Sequence, residues 1–183
     1  LMMGTPHPDL LSNLGAAYFS AGRPGKAIAT YRKALELGGR SPALHLNLGL
    51  ALYKTGETTD AIEQFREVLK IDAANVQAAS LLADCLFSLG EYGEVVTTLD
   101  PFRDLAEAQP AVAYLLGTAL IRDDRVEEGQ PFVDIILRRG DSAEAHLLLA
   151  SAYRTANDLE AAMQEVRLAI GINPVSYTHL RAH

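Results

Sequence analysis

PALHLNLGLALYKTGETTDAIEQFREVLKIDAAN, Pro42 to Asn75, holds two helical patterns parted by a glycine. Leu48 is followed by Ala51 and Leu52, three and four residues on, so the three share one helical face. A polar break follows at Lys54-Thr55-Gly56-Glu57, where the glycine permits the positive φ that a tight helix end needs. The second pattern sets Ala61 four residues before Phe65, and small residues facing large ones let two helices approach closely.

The same pattern recurs along the chain. Leu14, Leu48, Leu82 and Leu116 lie 34 residues apart, each followed by a glycine or alanine, and Leu149-Ala150 continues the series after a 33-residue step. Periodicity of this length marks a helical repeat, and alignment on these pairs gives five units: 8–41, 42–75, 76–109, 110–142 and 143–174. Ala17, Ala51, Cys85, Ala119 and Ala152 form one column of the first helix. Ala27, Ala61, Val95, Gly129 and Ala162 form a column of the second, followed four residues later by Tyr31, Phe65, Leu99, Val133 and Val166. The expected class is all-α, and because repeats contact only their neighbours, the 183 residues are expected to form one array rather than separate globular domains.

These columns resemble the tetratricopeptide repeat, a 34-residue helix-turn-helix unit with Leu-Gly, Tyr, Ala, Phe or Tyr, and Pro at set positions. The unit 42–75 matches closely, 8–41 nearly as well, and the resemblance covers 8–174. It implies an α-solenoid of antiparallel helix pairs forming a right-handed superhelix, with the first helices lining a concave groove. Two units depart from the pattern. Pro101 falls inside the second helix of its unit and should kink or shorten it. Pro131 falls near the start of the next second helix, where proline is tolerated only in the first turn. The array is therefore expected to be least regular between about residues 95 and 142.

In the resembled family, positions two, five, nine, twelve and thirteen of each unit face the ligand. The resemblance places Leu46, Leu50, Tyr53, Phe87, Tyr114 and Ile121 in an apolar and aromatic stripe along the groove, with Asp84 beside them. Such a stripe usually marks a binding site. Asn13 and Asn47, at position six of the first two units, match the start of an asparagine ladder that in some relatives bonds the backbone of an extended peptide; an amide offers a donor and an acceptor at once. The ladder stops at Leu81. The basic clamp by which chaperone-binding relatives hold a terminal carboxylate is absent, with Ser12, Ala16, Gln77 and Leu81 in the relevant places.

Other chemistry is not called for. Cys85 is the only cysteine and shares a column with four alanines, so it reads as a small core residue and not as a nucleophile. His45 and His146 occupy the slot where the family often has Trp, and packing explains them without a metal. Arg139-Gly140-Asp141 spells a cell-adhesion tripeptide but lies at a turn, where Asp141 or Ser142 can cap the next helix. Asp123-Asp124 and Glu127-Glu128 suit a turn and a helix start. The net charge of −7, with no lysine or arginine stripe, disfavours nucleic acid as a partner, and no apolar run reaches the length of a membrane span. No cofactor or metal is expected. The partner expected is a protein or a peptide.

Pro174 to His183 has neither the repeat pattern nor a helical period. Val175–His183 matches, residue for residue, the translation of a sequencing-library adapter, and the chain begins at Leu1, so it reads as an internal fragment with a non-native tail. No signal peptide is visible, which in a fragment leaves the compartment open. Two functions fit: a non-catalytic scaffold that binds an extended or helical segment of another protein in the groove, or the recognition arm of a larger enzyme such as a glycosyltransferase or sulfotransferase.

Overall fold

The computed structural model describes residues 7–140, 142–155 and 157–172. The adapter-like tail and Asp141 lie outside the described residues. The chain groups into two compact units, Leu1–Leu89 and Gly90–His183. The first holds α1 (Pro8–Ser20), α2 (Pro24–Glu36), α3 (Pro42–Thr55), α4 (Thr58–Ile71) and α5 (Val76–Ser88). The second holds α6 (Tyr92–Leu99), a 3-10 helix (Asp100–Leu105), α7 (Pro110–Arg122), α8 (Val126–Arg139), α9 (Ala143–Thr155) and α10 (Leu159–Ile172). Among the described residues there is no strand, and the chain is an all-α solenoid of helix pairs.

The helix boundaries have local causes. Proline opens α1, α2, α3 and α7 in the first turn, where its missing N–H costs nothing. Ser41 Oγ accepts from the Leu44 amide at 3.2 Å, Asn75 Oδ1 from Ala78 at 3.0 Å and Ser142 Oγ from Ala145 at 3.3 Å, which caps α3, α5 and α9. Within each repeat the turn between its two helices passes through one left-handed residue. Gly22, Gly56 and Gly90 take it at φ 70°, 82° and 79°, and Asp124 and Asn157 take the same column at 59° and 62°.

Helix pairs close against each other through the glycine of the Leu-Gly step. A Cβ added at Gly49 would lie 2.6 Å from the Phe65 ring, and one at Gly15 would lie 2.5 Å from Tyr31. These rings are 0% and 1% exposed. Tyr31, Phe65, Leu44, Leu48 and Leu52 anchor the first unit's core, and Leu99, Leu116, Leu120 and Leu149 the second's. Burial of a side chain of this size contributes about 1.5–3 kcal/mol. Leu14 heads the same leucine column as Leu48 yet is 44% exposed, because no described helix precedes α1 to cover that face.

The two prolines behave differently. Pro101 ends α6 after 8 residues, and the chain continues as the 3-10 helix, since proline cannot donate the bond that would extend the α-helix. Pro131 is not in the first turn of its helix. It is the sixth residue of α8, which nevertheless runs on to Arg139. Pro131 and Glu127, whose carbonyl loses its helical donor, are both exposed, so water can satisfy that carbonyl.

Candidate functional site

Two side-chain contacts tie the first helices of the Leu1–Leu89 unit into a row. Lys54 Nζ of α3 lies 5.3 Å from the ring centroid of Phe19 on α1, within cation–π range. Tyr53 Oη of α3 donates to Asp84 Oδ2 of α5 at 2.5 Å. Tyr53 is 41% exposed. Its phenol is pushed up to about 12, first by the hydrogen bond to Asp84, then by that carboxylate's charge and by burial. The hydroxyl therefore stays a donor at neutral pH, and the ring is held in one orientation at the surface.

Leu46, Asn47, Leu50, Asp84 and Phe87 are half-buried and Asn13 is exposed. Leu46, Leu50 and Tyr53 are spaced four and three apart on α3, so they form one stripe, and Asn47 and Lys54 flank it. Seven of the nine expected residues thus belong to this unit, and Tyr53 and Asp84 are in direct contact. Lys54 stands at position thirteen and is charged, so it falls outside an apolar stripe; its adjacency to Phe19 follows from position twelve of one unit meeting position thirteen of the next.

The other two expected residues lie in the Gly90–His183 unit and differ from each other. Tyr114 is 44% exposed and lines a cleft of about 330 Å³ with Ile135, Ile136 and Arg139. Ile121 offers no surface. It is 5% exposed and packs in the core with Val133, Leu148 and Leu149, so its expected place in an exposed stripe is corrected to the interior. The reason lies in the side chain: Ile121 has no polar atom and leaves water to meet Val133, Leu148 and Leu149, whereas the Tyr53 hydroxyl has Asp84 to bond. Thr118, at position nine, is likewise buried at 4%.

The two histidines singled out in the sequence have structural partners. His45 Nδ1 pairs with Gln64 Oε1 at 2.9 Å, and His146 Nδ1 with Glu165 Oε2 at 2.6 Å. Each histidine thereby bridges the two helices of its own repeat. Cys85 is buried, and burial first, then the Asp84 charge, pushes its thiol up to about 11, away from the reactive thiolate. Among the described residues no group of three or more His, Cys, Asp or Glu could hold a metal, and no helix is long and apolar enough to cross a membrane.

Three family models match the sequence, one described as TPR repeat over residues 15–56 and two described as tetratricopeptide repeat over 52–118 and 114–177. No curated protein matches it. Among solved structures, YrrB, described as a TPR protein with an unusual peptide-binding site, is similar with a TM-score of 0.84 at 20% identity, over 94% of this chain and 89% of that one. MamA AMB-1 is similar with a TM-score of 0.80 at 22% identity, over 91% of this chain and 98% of that one. MamA from Desulfovibrio magneticus RS-1 gives 0.78 at 20% identity, over 91% and 95%. At these identities the likeness is one of fold.

Proposed function

The chain belongs to the tetratricopeptide repeat family, and from that premise we propose that it is a protein-interaction module whose α1–α3–α5 row binds a segment of a partner protein. The single observation behind this is the α3 stripe: Leu46 and Leu50 half-buried beside a Tyr53 fixed at the surface by Asp84. A residue already held in its bound orientation loses little entropy on binding. Aromatic anchors of this kind commonly contribute about 2 kcal/mol or more each. Leu46, Leu50 and Phe87 supply apolar contact, while Asn13 and Asn47 offer amides to a peptide backbone. Lys54 and Asp84 put one charge of each sign at the edges, which favours a ligand segment with the opposite order of charges. The peptide-binding site named for YrrB lends the proposal support by analogy of fold.

The test is selection of binding peptides from a random library on the intact chain, followed by titration of the best binder against variants. Tyr53→Ser with Phe87→Ser should weaken binding by about a hundredfold or more, with helix content by circular dichroism unchanged. Asn47→Ala should cost about tenfold or less. Undiminished affinity in the folded double variant would move the site elsewhere. Leu48→Asp serves as the unfolded control, since Leu48 is 1% exposed and a charge there would be buried without a partner.

A further inference from the structure

Two aromatic rings of the Leu1–Leu89 unit carry a lysine of the same unit. Lys26 Nζ lies 5.7 Å from the ring centroid of Tyr18, and Lys54 Nζ lies 5.3 Å from that of Phe19. The second contact joins position twelve of one repeat to position thirteen of the next. One junction on, the ring at position twelve is Tyr53 and position thirteen is Ser88. Serine carries no charge, and the Ser88 hydroxyl turns back to donate to the Cys85 carbonyl at 2.7 Å. Tyr53 meets Asp84 instead, so the ring without a lysine is the one set beside a carboxylate.

This pair is short of one positive charge. The Tyr53 hydroxyl is a neutral donor to Asp84 Oδ2, so it satisfies that oxygen and leaves the carboxylate's charge in place. Among the described residues no lysine, arginine or histidine pairs with Asp84, and Oδ1 takes no donor. Lys54 is next to Tyr53 in sequence but reaches the opposite neighbour, Phe19 on α1. A segment lying across Leu46, Leu50 and Tyr53 would also cover the half-buried carboxylate bonded to Tyr53. Taking water from an unpaired carboxylate is costly, so such a segment binds well only if it brings a donor of opposite charge. A neutral amide would satisfy the oxygen but not the charge. The Tyr53 ring, 41% exposed, suits the same group, because a cation is attracted to the face of a phenol ring.

We propose that Tyr53 and Asp84 form a subsite for one lysine or arginine side chain of the bound segment, its cation on Asp84 Oδ1 and against the Tyr53 ring. This rests on the reading of the α1–α3–α5 row as a peptide site and adds a specificity to it. The segment is basic at one fixed position, where an acidic residue is rejected. A wholly basic segment is not what the row selects, because the Lys54 ammonium on Phe19 repels a second cation one repeat away.

The experiment uses peptides selected from a random library on the intact chain whose binding is lost with Tyr53→Ser and Phe87→Ser. These should share one lysine or arginine at a fixed position. Norleucine in its place should weaken binding by about tenfold or more, and glutamate there should abolish it. Asp84→Asn keeps an acceptor for the Tyr53 hydroxyl but removes the charge, so this variant should no longer distinguish the basic peptide from its norleucine form. The peptide and protein substitutions together form a double-mutant cycle that isolates the pairing. Three results would overturn the subsite and leave the groove reading intact: row-dependent peptides without a basic residue, a norleucine form that binds as tightly as its parent, or a preference for the basic peptide that survives in Asp84→Asn. Should Asp84→Asn fail to fold, the norleucine comparison still decides, because it leaves the protein unaltered. Peptides whose affinity ignores Tyr53→Ser with Phe87→Ser, or the selection of no peptide at all, would remove the row and the subsite together.

Discussion

Tyr53 in the first unit and Ile121 in the second both stand at position twelve of their repeats, and the two side chains have opposite fates. Tyr53 stays 41% exposed with its hydroxyl on Asp84, while Ile121 is 5% exposed against Leu148 and its neighbours. Both lean toward the first helix of the following repeat. What differs is the residue itself and position nine of that helix, which is Asp84 after Tyr53 and Ser151 after Ile121; position six is leucine in both, Leu81 and Leu148. Phe19 shows a third variant, meeting the Lys54 ammonium. A repeat column thus fixes the direction of a side chain, whereas its exposure is decided by its own chemistry and by the residue it meets one repeat on.

The sharpest way to break this comparison is to truncate both residues. Ile121→Ala should destabilise the protein by about 2–5 kcal/mol, because it leaves a cavity in a packed cluster. Tyr53→Ala should cost about 1 kcal/mol or less, as a partly exposed residue losing one surface hydrogen bond. Urea unfolding of the two variants measures the difference. Equal costs would mean that Tyr53 is as much a core residue as Ile121.

The columns that could be read from sequence are those whose environment repeats. The Leu-Gly step, the alanine column and the Tyr31/Phe65 column are buried because each repeat supplies its own lining, and Gly49 needs to be small for the same reason wherever the pair closes. Leu14 and Met163 could not be read this way, since no described helix pair lies against their faces. Ile121 was illegible for a related reason: its partners Val133, Leu148 and Leu149 lie in the two following helices, and its own column also holds the exposed Tyr53. Of the candidate site, the residue types were legible, but the pairing of Tyr53 with Asp84 and of Lys54 with Phe19 required coordinates.

The turn column provides an intermediate test. Glycine marks it in the first three repeats, and its left-handed backbone was expected there, but Asp124 and Asn157 carry the same φ in the second unit with a side chain attached. Asp124→Gly should therefore stabilise by about 0.5–1 kcal/mol, and Gly56→Ala should destabilise by about 1 kcal/mol. Paired thermal melts decide the matter. The same sign for both substitutions would show that the two turns are not equivalent.

The smallest expected effect concerns Tyr53 itself, and it separates the two units chemically because Ile121 has nothing to titrate. The Tyr53 phenol is pushed up to about 12, with the Asp84 hydrogen bond as the largest cause, against an ordinary value of about 10 in the unfolded chain. A folded value above the unfolded one means that this contribution to stability is complete below pH 10. It is then lost as pH rises from 10 toward 12, where the unfolded chain ionises first. Since Tyr53 is two-fifths exposed, solvent screening keeps the energy small, so the titration itself is the better observable. With ring-labelled tyrosine, carbon-13 NMR should follow Tyr53 to a midpoint near 12, and Asp84→Asn should bring that midpoint down toward 10. Tyr31, whose phenol is raised by burial alone, should not move with that substitution and serves as the internal reference. A Tyr53 midpoint unchanged by Asp84→Asn would mean that burial, and not the carboxylate, holds the ring, and the surface pairing that distinguishes position twelve of the first unit would have to be abandoned.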